Sequence, residues 1–103
     1  MIKKYLTKNE VTNIVLKILS ENIQINKNSI QLNNILQFDL RLDDLDYVVI
    51  PSMLEDFLYE KYKIDCFLND IIQELLRRSI TVNDLIENIF DKLKVIINVH
   101  NNI

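Results

Sequence analysis

Apolar residues recur with a helical period in several stretches of the chain, and the first stretch has a clear beginning. Thr7 and Glu10 form the pattern of a capping box, in which each side chain accepts a hydrogen bond from the other residue's backbone N–H. The pattern predicts an amphipathic helix that ends near residues 20–22. Its apolar face is formed by residues spaced three and four apart, which are Val11, Ile14, Val15, Ile18 and Leu19.

Residues 23–42 form a long connection that is rich in asparagine but also in large apolar side chains. A connection of this length is uncommon in a compact domain unless it packs its own side chains or contains a helical turn. We therefore expect it to lie across the helices. Its apolar residues include Ile23, Ile25, Ile30, Ile35, Leu36, Phe38 and Leu40.

A second helix is predicted within residues 43–62, because its acidic start suits the positive end of a helix dipole. The apolar residues from Leu45 onward mostly fit one helical stripe. Pro51 interrupts this stripe, since proline lacks an N–H and its ring clashes with the carbonyl of Tyr47. Either the helix kinks at Pro51, or residues 43–50 form a separate turn and the helix begins with Pro51 at its first position.

Two further helices complete the prediction of an all-α fold. One extends from about Leu68 to Arg78. The other begins after Thr81, which repeats the capping-box pattern with Asp84 three residues later. The buried face of this last helix is predicted to be Leu85, Ile86, Ile89, Phe90 and Leu93.

Composition and charge narrow the functions open to the chain. None of its 103 residues is glycine, so a Walker loop, a dinucleotide-binding turn and a glycine-bearing nucleophile elbow are excluded in their usual forms. The net charge of −3 disfavours nonspecific nucleic-acid binding, and no apolar run approaches membrane-spanning length. We expect a single helical domain over residues 1–103, with frayed ends at residues 1–6 and 98–103.

The single cysteine and the single histidine restrict the chemistry further. Cys66 has no partner for an intrachain disulfide, so a reducing, cytoplasmic location is expected, and we interpret the thiol as a small buried apolar group. A zinc site of the usual ligand set is excluded. A catalytic pair of Cys66 with His100 is disfavoured because His100 lies in the polar tail. No catalytic residue and no metal site are predicted.

Four motifs in order resemble those of the acyl carrier protein family. Residues 39–48, DLRLDDLDYV, resemble the family's D-L-G-x-D-S-L-D-x-V without a gap. Residues 54–56, LED, are similar to its L-E-E in helix two, and residues 62–65, YKID, to the aromatic-x-x-I at that helix's exit. Residues 80–86, ITVNDLI, resemble the I-T-T-V-x-D-L-I that opens its last helix. The resemblance covers roughly residues 10–93.

The resemblance implies an acyl-carrier-protein-like four-helix bundle with a long first loop, whose helix-two serine carries 4′-phosphopantetheine. Asp44 occupies the position of that serine, and Arg41 that of the family's glycine. A serine hydroxyl attacks coenzyme A to form a stable phosphodiester, whereas a carboxylate would form a mixed anhydride prone to hydrolysis. No cofactor is therefore expected at Asp44. Its carboxylate either mimics the charge of the phosphodiester or is simply the N-cap of the helix.

Ser52 is an alternative attachment residue for 4′-phosphopantetheine. If Pro51 were the first helical residue, Ser52 would lie in the first turn, as the modified serine of the family does. The interval from Ser52 to Ile64 is, however, shorter than the interval from the modified serine to the helix exit in the family. Asp44, by contrast, lies at the expected distance after residues 39–40.

The acidic residues of this region have two interpretations. The resemblance implies a docking face for a basic protein partner, and the alternative is an ordinary solvated helix face. The residues concerned are Asp43, Asp44, Asp46, Glu55, Asp56 and Glu60.

Three functions stay open from the sequence. The first is a noncatalytic, carrier-like module that binds a protein partner through helix two. The second is a working acyl carrier protein modified at Ser52. The third is a small acidic inhibitor or immunity-type protein. A neighbouring toxin gene would favour this third function, whereas neighbouring fatty-acid or polyketide genes would favour the first two. An enzyme is the least favoured class.

Overall fold

Four α-helices form the fold in the described part of the chain, which is residues 6–65 and 69–101 of a computed structural model. Helix α1 is Lys8–Ile23, α2 is Asp44–Tyr62, α3 is Asn69–Leu76 and α4 is Val82–Asn101. The described residues contain no strand, so the predicted all-α class is confirmed. The predicted start of the third helix, Leu68, and the thiol of Cys66 lie outside these residues.

The helices pack around one apolar core. Helix α2 contacts α1 and α3, and α4 contacts the same two helices. The predicted faces of α1 and α4 are buried, apart from Phe90, which is half-buried. Leu6, just before α1, is buried too, and the backbone of α4 is helical through Asn101. The fully buried side chains of the core include Leu19, Leu36, Ile50, Leu54, Leu58, Ile72, Leu76, Leu85, Ile86, Ile89 and Leu93.

Both predicted capping boxes are confirmed. At α1, the N–H of Glu10 donates to Thr7 Oγ1 over 3.2 Å, and the N–H of Thr7 donates to Glu10 Oε1 over 3.0 Å. At α4, Thr81 and Asp84 exchange the same two bonds, each 3.1 Å long. Two backbone donors at each helix start are thereby satisfied, which fixes where these helices begin.

The long first connection packs as predicted. It contains a short 3₁₀ turn at Lys27–Ser29 and buries Ile30 and Leu36. It is also tied to the start of α4, because the N–H of Leu36 donates to the carbonyl of Ile80 over 3.0 Å and the N–H of Val82 donates to that of Asn34 over 2.9 Å. The connection is therefore a structural element of the bundle.

Helix α2 is continuous through Pro51, whose ring is buried in the core. The alternative in which Pro51 begins the helix is therefore wrong. The helix begins seven residues earlier, at Asp44, because a capping box formed by Asp43 and Asp46 satisfies its first donors. The hydrogen bond that Pro51 cannot donate is missing inside the helix, and burial of the ring offsets this loss.

Three residues of the described part of the chain adopt left-handed backbone conformations, although the sequence contains no glycine. Gln24 and Lys63 follow α1 and α2 with φ of 57°, and Arg41, in the loop before α2, has φ of 58°. A side chain with a Cβ pays roughly 1 kcal/mol or more for this conformation. Arg41 also occupies the position of the glycine in the motif that residues 39–48 resemble.

Replacing Arg41 with glycine is expected to raise the free energy of unfolding by about 0.5 kcal/mol. Relief of the steric strain at φ 58° exceeds the entropy that glycine adds to the unfolded chain. Urea unfolding measures the change. The matched control, Lys92→Gly within α4, is expected to lower stability by about 1 kcal/mol. Equal losses in the two variants would contradict the strain at Arg41.

Candidate functional site

The start of α2 is held by a network of side-chain hydrogen bonds. The N–H of Asp46 donates to Asp43 Oδ1 over 3.1 Å, and the N–H of Asp43 donates to Asp46 Oδ2 over 2.8 Å. Asn22, near the end of α1, donates from Nδ2 to the other oxygen of Asp46. Tyr47 Oη donates to the carbonyl of Leu42 over 3.2 Å. The start of α2 is therefore held both by α1 and by the loop that precedes it.

Asp44 is the first residue of α2 and its side chain is exposed. The interpretation of Asp44 as the N-cap is wrong, because Asp43 has the extended backbone of a cap and accepts the bond from Asp46. No hydrogen bond or ion pair involves the Asp44 carboxylate within the described residues. The fold thus leaves Asp44 available to solvent and to a partner at the positive end of the helix dipole.

Replacing Asp43 with alanine is expected to lower the free energy of unfolding by about 1 kcal/mol, because the N–H of Asp46 loses its acceptor. Asp44→Ala is expected to cost less than about 0.5 kcal/mol, since only the dipole interaction is lost. Urea unfolding of the two variants measures the difference. A larger loss of stability in Asp44→Ala than in Asp43→Ala would contradict the identification of Asp43 as the N-cap.

Ser52 lies in the interior of α2, eight residues after the helix begins, on its exposed side. Its Oγ accepts a hydrogen bond of 3.3 Å from Asn69 Nδ2, at the start of α3. Attachment at Ser52 required this residue to lie in the first turn of the helix. It does not, because the helix begins at Asp44 and continues through Pro51.

The six acidic residues divide by exposure. Asp46 and Glu55 are half-buried and have structural partners. Burial raises the pKa of Glu55 above the ordinary glutamate value, and the nearby Asp56 and Asp65 add to this effect, whereas hydrogen bonds from Asn69 oppose it. Glu55 and Asn69 thus connect α2 to the start of α3. The exposed carboxylates are those of Asp43, Asp44, Asp56 and Glu60.

Exposed apolar side chains lie on the same side of α2 as the carboxylate of Asp56. Leu45 is 69% exposed, Val48 is 47% exposed and Tyr59 is 55% exposed. At about 100° per residue, these three and Ser52 and Asp56 fall within an arc of roughly 80°. We call this surface the outer face of α2 and define it by Leu45, Val48, Ser52, Asp56 and Tyr59.

Most apolar residues of this segment were expected to fit one helical stripe, and Leu45 and Val48 lie outside the stripe that is buried. The core side of α2 is formed by Tyr47, Ile50 and Leu54 together with Pro51 and Leu58. The sequence signal for the outer face is the set of apolar residues of α2 that do not fit the core stripe.

In residues 6–65 and 69–101, no group of three or more His, Cys, Asp or Glu side chains is arranged to hold a metal ion. No helix of the described chain has both the length and the apolar character needed to cross a bilayer.

Comparison with protein-family models, with curated proteins and with solved structures yields no match to this chain.

Proposed function

We propose that this protein is a noncatalytic, acyl-carrier-like interaction module that binds a protein partner through the outer face of α2. The observation that carries the proposal is the exposure of Leu45, Val48 and Tyr59 on one face of a helix that also carries exposed carboxylates. An apolar patch rimmed by charge is typical of a protein–protein interface.

The charges on and beside this face select the partner. Asp56 lies on the face, and Asp44 and Glu60 are exposed about 40° beyond its two edges, so a complementary surface presents Lys or Arg around an apolar centre. A second copy of the chain fits less well, because it would bring the same carboxylates of two α2 helices close together. Like charges across an interface oppose association. The partner is therefore a different protein with a basic surface.

Two features support the carrier-like part of the proposal. The order of a long first helix, a long packed connection, a second long helix and a short third helix agrees with the resemblance. Arg41, at the position of the family's glycine, has φ of 58°, a conformation that glycine adopts readily. A left-handed backbone at this position is therefore compatible with the glycine of the resembled motif.

The proposal includes no 4′-phosphopantetheine on the wild-type chain. Asp44, at the position of the family's serine, has no hydroxyl to form a phosphodiester. Ser52 lies in the middle of α2, where the helical backbone on both sides keeps its Oγ away from a helix start. Without the cofactor there is no thiol at the position of Asp44 or at Ser52 to carry an acyl group, so binding rather than carriage is the proposed function.

Site-specific photo-crosslinking in the native cell tests this proposal. A photoreactive phenylalanine derivative at Val48, which is 47% exposed, is expected to capture a basic partner that mass spectrometry then identifies. Adding Asp56→Lys and Glu60→Lys is expected to reduce capture at least about tenfold, because charge complementarity is reversed. The variant's thermal unfolding is expected to match that of the parent, since both carboxylates are exposed.

The control places the same photoreactive residue at Asn88, which is exposed on α4. The proposal is wrong if both positions capture the same proteins, or if neither captures a protein with a basic surface. Recovery of a toxin at Val48 would favour the immunity-type function over a carrier-like one.

A further inference from the structure

An open groove lies between α1 and the last turns of α2, away from the outer face of α2. Its volume is about 240 Å³. Its floor is apolar and aromatic, formed by Ile14, Phe57 and Tyr62. Its remaining lining residues are polar and come from α1, from the 3₁₀ turn and from α2, namely Glu10, Asn13, Lys17, Lys27 and Lys61.

Among the described residues, three lysines of this acidic protein line the groove. The ammonium of Lys17 lies 5.7 Å from the centre of the Phe57 ring, and that of Lys61 lies 5.5 Å from the same ring. Lys17 is also paired with Glu21. Lys27 and Lys61 form no ion pair within the described residues, so two ammonium groups without a carboxylate partner line the groove.

The charges are distributed unevenly along the groove. Glu10 lies at one end of the α1 side, and Lys17 lies two helical turns further on, about 10 Å away along the axis. A length of about 10 Å matches three residues of extended peptide. The volume of about 240 Å³ lies below the range of roughly 300–1,000 Å³ in which small-molecule sites bury most of a ligand. An open groove of this size suits one apolar side chain with charged neighbours.

We propose that this groove binds a short acidic peptide segment of a partner protein, with an apolar side chain on Phe57 and Tyr62 and carboxylates beside Lys27 and Lys61. This surface is distinct from the outer face of α2 and has the opposite charge. The inference is independent of the proposed function, because it uses other residues and another partner chemistry.

Titration of the isotope-labelled full chain with the peptide acetyl-Asp-Asp-Leu-Asp-Asp-amide tests the inference by NMR. The backbone amide signals of Lys17, Lys27 and Lys61 are expected to shift in a saturable manner. Lys27→Glu and Lys61→Glu are each expected to weaken binding by about three- to tenfold, as reversal of an exposed charge at the rim of an interface does.

Lys94→Glu is the matched control, because Lys94 is exposed and its ammonium lies 5.3 Å from the ring centre of Phe90 on α4. It removes a lysine beside an aromatic ring outside the groove and is expected to leave peptide affinity unchanged. All variants are expected to unfold at the wild-type temperature.

Three results would overturn the inference. One is the absence of saturable shifts, and another is a loss of affinity in Lys94→Glu equal to that in Lys27→Glu. The third is inorganic pyrophosphate binding as tightly as the peptide, which would identify a simple anion site. Asp56→Lys, on the outer face of α2, is expected to leave peptide binding intact. The peptide titration therefore tests the groove alone, and the crosslinking experiment tests the outer face of α2 alone.

Discussion

Replacing Leu36 with alanine is expected to lower the free energy of unfolding by about 3 kcal/mol, although Leu36 belongs to a loop. Its side chain is completely buried in the core between the helices. Its N–H donates to the carbonyl of Ile80 over 3.0 Å, and its own carbonyl accepts from the N–H of Leu42 over 3.2 Å. The backbone is therefore held in place and cannot collapse into the cavity that the substitution leaves.

Leu32→Ala is the matched control for this prediction. Leu32 lies in the same connection and its side chain is 45% exposed. The same atoms are removed, but little apolar surface is returned to water and no closed cavity forms, so a cost below about 1 kcal/mol is expected. Urea unfolding followed by circular dichroism measures both changes. Equal costs for Leu36 and Leu32 would mean that the connection does not contribute to the core.

Local rules explain why α1 and α4 could be predicted from the sequence. Their capping boxes involve residues only three apart, and their core faces are single stripes at helical spacing. Such signals depend on nearby residues alone. The start and the buried face of both helices agree with the structure for this reason.

The connection and α2 were predicted only in part, because their outcome depends on tertiary contacts. The connection was expected to pack, but no local pattern separates buried Ile30 from exposed Phe38, which is 69% exposed. In α2, the choice between Asp43 and Asp44 as cap depends on backbone geometry. Continuity through Pro51 depends on the core around its ring, which no spacing rule describes.

The left-handed residues and the groove gave no sequence signal at all. Helix ends are usually indicated by glycine, and here Gln24 and Lys63 take that conformation instead. The groove joins Lys17 and Lys27, which are 10 residues apart, to Lys61, which follows Lys27 by 34 residues. Only the packing of α1 against α2 brings them together.

Asp44→Ser is expected to convert the chain into a substrate for phosphopantetheinylation. We expect this to be the largest change in function from a single substitution. Asp44 is exposed at the first position of α2, and Asp43 rather than Asp44 caps the helix, so the substitution leaves the helix start intact. The serine hydroxyl then loses its proton and attacks the phosphorus of coenzyme A that bears the pantetheine; the bond within the diphosphate breaks, adenosine 3′,5′-bisphosphate leaves, and a stable phosphodiester remains on the serine. Asp44→Asn has no hydroxyl and is expected to stay unmodified.

Intact-protein mass spectrometry after incubation with coenzyme A, Mg²⁺ and a phosphopantetheinyl transferase of broad specificity distinguishes an unmodified binding module from a working carrier. We expect the wild-type chain to keep its mass, and Asp44→Ser to gain one phosphopantetheine even when combined with Ser52→Ala. A wild-type chain that gains one phosphopantetheine, and loses that gain in Ser52→Ala, would instead be a carrier modified at Ser52.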